Sequence, residues 1–119
     1  MGLYGILTLP AALLVAKAFK INDRLQQADA RPARLSDKDA GDVLRIMRAI
    51  PAAQVAASFE SLRDNPRVGD VAREGLRLLE ALFGAPATPG VDMAVLALRG
   101  DLPDTTIRAL APAYITRVK

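Results

Sequence analysis

The chain has 119 residues, 51% of them hydrophobic and 24% charged, with a formal net charge of +3. That length fits one domain of roughly 100–200 residues, and the apolar share is too high for a disordered chain. It contains no His, Cys or Trp, which excludes a disulfide scaffold, thiolate or imidazole metal centres, a cysteine nucleophile and any His-based triad.

Residues 1–16 carry no charged side chain. Sixteen helical residues cover about 24 Å, short of the roughly 30 Å hydrocarbon core of a bilayer. Pro10 is best tolerated in a first turn, so a helix is expected to start near Thr8–Pro10. From there Ala11, Leu14, Ala18, Ile21 and Leu25 fall on one helical stripe, and Lys17, Lys20, Arg24 and Gln27 on another. The segment reads as an amphipathic helix whose N-terminal end is apolar all round. Ala16-Lys17-Ala18 has the form of a signal cleavage site, but a basic n-region before it is missing.

Residues 29–35 read as a linker broken by Pro32, dividing an N-terminal helix, 1–28, from a helical domain, 36–119. Ser36 followed by Asp39 is close to a capping box. The next helix is expected from about Asp37 to Ile50, with Ala40, Val43, Leu44, Met47 and Ile50 inward. Pro51 ends it and opens a third helix with Ala52, Val55, Ala56, Phe59 and Leu62 on one face. Asp64-Asn65-Pro66 is a turn. A fourth helix, about Arg67 to Phe83, puts Val68, Val71, Ala72, Leu76, Leu79, Leu82 and Phe83 on its stripe, with Gly84 as C-terminal cap. A short helix over Asp92–Arg99 stops at Gly100. Asp101 is placed to cap a helix that begins at Leu102–Pro103 and reaches Leu110, and Pro112 is expected to restart a last turn or two ending near Val118. No stretch alternates as a strand does. The class is all-α, with about six helices.

Residues Met1-Gly2-Leu3 and Leu7-Thr8-Leu9-Pro10 resemble the opening of the small gas-vesicle accessory G family. The likeness covers Met1–Pro10, and that family's acidic, Glu-rich remainder has no counterpart here. The joint Arg63-Asp64-Asn65-Pro66-Arg67-Val68 is similar to the turn of HEAT-type helical pairs, but one joint does not make a solenoid.

Chemistry-bearing groups are few. Ser36 reads as a cap, and Ser58 and Ser61 as the polar side of their helix. Neither a nucleophile elbow nor a glycine-rich phosphate loop is present. Asp37, Asp39 and Asp42 have a spacing like the start of a calcium loop. Gly41 then falls where a ligand belongs and Arg48 where the closing Glu belongs, so these acids are expected to favour a helix N-terminus. The basic group Lys17, Lys20, Arg24, Arg31 and Arg34 reads as a solvated face, a contact for anionic phospholipid, or a weak phosphate contact. With three Phe and two Tyr, a base-stacking platform and hence nucleic-acid binding are not expected.

These readings converge on a non-enzymatic structural or assembly subunit without cofactor, metal or small-molecule substrate. Its apolar N-terminal helix is expected to dock on a partner protein or another copy through Leu3, Tyr4, Ile6, Leu7, Leu14, Ala18, Ile21 and Leu25. The alternative is a membrane-attached protein with a small cytoplasmic helical domain, Lys17, Lys20 and Arg24 meeting the anionic surface. Location is expected to be the cytoplasm or a large assembly. On either reading a fragment starting at residue 19 is expected to fold alone.

Overall fold

A computed structural model describes residues 3–28 and 37–119, with side chains for 8–27 and 37–119. Six helices follow in order: α1 (Leu3–Ala28), α2 (Lys38–Ala49), α3 (Ala52–Arg63), α4 (Gly69–Phe83), α5 (Pro89–Ala97) and α6 (Asp104–Val118). Among the described residues there is no strand. The expected class and helix number hold.

The N-terminal helix is not an appendage. It packs chiefly on α3 and α4 and also on α2, while α2 packs on α5 and α3 on α6. Ala11, Leu14, Val15, Ala18 and Ile21 enter one core with Val43, Leu44, Phe59, Leu79, Phe83 and Ile107. Contact between α1 and α4 is close because position 75 is glycine. A Cβ there would lie 2.6 Å from Val15 Cγ1, well inside van der Waals contact.

Both internal prolines depart from the expected punctuation. α1 begins at Leu3, with Pro10 inside it. α6 runs unbroken from Asp104 to Val118 with Pro112 inside it. An interior proline costs about 3 kcal/mol. In α6, burial of Ile107, Tyr114, Ile115 and Val118 on both sides of the proline offsets that cost, at about 1.5–3 kcal/mol for each large side chain.

In α1 the neighbouring helix adds a bond next to the proline. Beside Pro10, the Ala11 N–H donates to Ser58 Oγ of α3 at 3.0 Å. Ser58 is therefore not on a polar face; it is 2% exposed. Ser58→Ala is expected to remove this buried bond between the two helices and to cost about 1 kcal/mol, lowering Tm by roughly 5 °C. Calorimetry checks this, and an unchanged Tm would remove Ser58 from the interface.

Gly84 is the C-cap of α4, as expected, though with φ −82°, a right-handed conformation. Glycine is required there because a Cβ would collide with the Glu80 carbonyl. Gly100, at φ +92°, does adopt the left-handed turn. Asp101 does not cap α6, whose N-cap position is Pro103. Ser36 lies outside the described residues, and Asp37 stands at the N-cap of α2 with no side-chain capping bond.

Candidate functional site

Two groupings stand out on the surface that α1 helps to build, one charged and one apolar. The charged one joins α1 to α2. Helical spacing puts Lys17, Lys20 and Arg24 on one flank, and α2 presents Asp39 and Asp42 one turn apart. Lys17 Nζ donates to Asp39 Oδ1 at 2.9 Å and to Asp42 Oδ2 at 3.0 Å. Lys20 Nζ and Arg24 Nε stand 3.5 and 3.6 Å from the Asp39 carboxylate. Arg45 adds a bond to Asp42 at 3.0 Å.

Asp39 is 3% exposed. Burial pushes its carboxyl up, but the Lys17 hydrogen bond and the charges of Lys17, Lys20 and Arg24 outweigh this and hold it below the usual value. Asp42 is likewise held low by Lys17 and Arg45 against its own desolvation. The two hydrogen bonds raise Lys17. Asp39 and Asp42 thus hold an ammonium, and among the described residues no group of three acidic side chains is arranged to hold a metal ion. Lys20, Asp23, Arg24 and Gln27 line a polar cleft of about 290 Å³ beside this network.

The apolar grouping is a groove of about 330 Å³ between α1 and the start of α4. Ala12, Val15, Ala16 and Phe19 of α1 form one wall; Leu62 of α3 lies at the end; Val68, Val71 and Ala72 form the other wall. Of its lining residues Val68 is 38% and Val71 51% exposed, and further round α1 Leu9 is 46% and Leu13 43% exposed. Ala12 and Ala16 are exposed between the leucines. Val68 and Val71, expected inward on the α4 stripe, are exposed: Val68 is the N-cap residue before the helix, and Val71 lies between the buried Gly69 and Ala72 on another side of it.

The docking stripe read from the sequence is redistributed by the fold. Leu14, Ala18 and Ile21 are buried at 0–1% exposure within the chain's own core, and Leu25 packs partly against it. They are therefore not open to a partner. The side chains of Leu3, Tyr4, Ile6 and Leu7 lie outside the described residues, as do Arg31 and Arg34. The outward apolar face consists instead of Leu9, Ala12, Leu13 and Ala16, about half a turn round α1. One signal for it was present: the first part of α1 is apolar on every side, whereas a surface helix that only contributes to a core carries a polar opposite face.

Among the described residues no helix is long and apolar enough to cross a membrane. α1 is long enough, at about 39 Å, but Lys17, Lys20, Asp23 and Arg24 occupy its second half.

Comparison of the chain with models of known protein families, with curated proteins and with solved structures gives no match.

Proposed function

We propose that the protein is a non-enzymatic helical subunit of a larger assembly, docked through the outer side of α1 and the start of α4. One observation carries this reading. Val68 and Val71, each exposed by more than a third, line a groove whose walls are almost wholly apolar, and exposed Leu9 and Leu13 follow on the adjoining face of α1. Isolated exposed leucines are ordinary, but a contiguous apolar patch around a concavity marks an interaction site. The charged groups nearest to it support the same view. Lys17, Lys20 and Arg24, which continue the stripe of Leu13 along α1, stand at 2.9, 3.5 and 3.6 Å from the Asp39 carboxylate, which weakens the alternative of an anionic lipid contact.

The test is site-specific photocrosslinking in the cell, with a benzophenone side chain at position 13, at position 71, and at the exposed Glu60 of α3 as control. The expected result is one discrete protein adduct from positions 13 and 71 and none from position 60. Equal labelling at all three positions, or none, overturns the docking reading. Adducts carrying phospholipid mass overturn it in favour of attachment to a membrane surface.

A further inference from the structure

We draw no further inference here: the strongest candidate, the apolar groove between α1 and the start of α4 with the exposed outer face of α1 beside it, is an unpartnered apolar surface, and nothing in the structure shows what covers it.

Discussion

A chain lacking residues 1–28 is expected not to fold. Removing α1 takes Ala11, Leu14, Val15, Ala18 and Ile21 out of the core. Burial of Leu14, Val15 and Ile21 alone contributes about 5–9 kcal/mol. Their partners lose as much cover, because Phe59 is 0% and Leu79 0% exposed in a core that α3 and α4 share with α1. A domain of this size has about 5–15 kcal/mol in total. Residues 29–119 should therefore show collapsed amide dispersion in a 1H–15N spectrum and no cooperative thermal transition. A fragment with sharp, dispersed amides and a cooperative melt would make α1 separable and the expected division at residue 28 correct. The same measurement on Leu13→Glu should keep dispersed amides and a cooperative melt, because Leu13 is on the outer side of the helix.

This contrast shows what the sequence could and could not disclose. Helical periodicity is local, so α2, α3 and α4 are found within two residues of their expected ends, and their buried residues are largely those on the predicted stripes. The stripe Ala11, Leu14, Ala18, Ile21 and Leu25 was equally plain in the residues. Periodicity says that a face is buried, though, and not by what. Assigning that stripe to a partner rather than to α3 and α4 follows from treating residues 29–35 as a boundary, and no local pattern corrects it. Prolines fail for a related reason. Pro10 and Pro112 are strong local stops, and in each helix tertiary burial overrides them. The second role of Ser58 depends on Ala11, 47 positions away, a distance at which residue type carries no signal. Asp39 illustrates the converse: a local rule, acid near a helix N-terminus, accounts for it without Lys17, which meets it from 22 positions away.

Breaking that meeting should cost more than any other single polar substitution in the described residues. Lys17→Met removes the ammonium that bridges Asp39 and Asp42 and leaves a carboxylate whose side chain is 4% exposed. Lys20 and Arg24 stay near it, at 3.5 and 3.6 Å, and soften the loss. The full penalty for stranding a buried charge is about 3–5 kcal/mol, so about 2–3 kcal/mol is expected here, a fall in Tm of roughly 10 °C. Combining Lys17→Met with Asp39→Leu should recover part of it, because the stranded charge is then gone, and the double-mutant cycle should show a coupling of about 1–2 kcal/mol.

The pH dependence has a definite sign. Asp39 and Asp42 are held below the ordinary 3.8 in the fold. Their contribution is complete well above that value and is lost as pH falls through it. Lys17 is raised above 10.5, so its contribution is complete below 10.5 and is lost as pH climbs beyond it. Tyr114, pushed up by burial to about 12, acts with the same sign between 10.0 and 12; its hydroxyl donates to the Ile50 carbonyl at 2.5 Å. A plot of Tm against pH should therefore be flat between about 5 and 9.5 and fall on both sides. Asp39→Asn should flatten the acid side and leave Tyr114's share of the alkaline side in place. An acid limb as steep in Asp39→Asn as in the wild type would show that the carboxylate at the α1–α2 junction does not hold the two helices together.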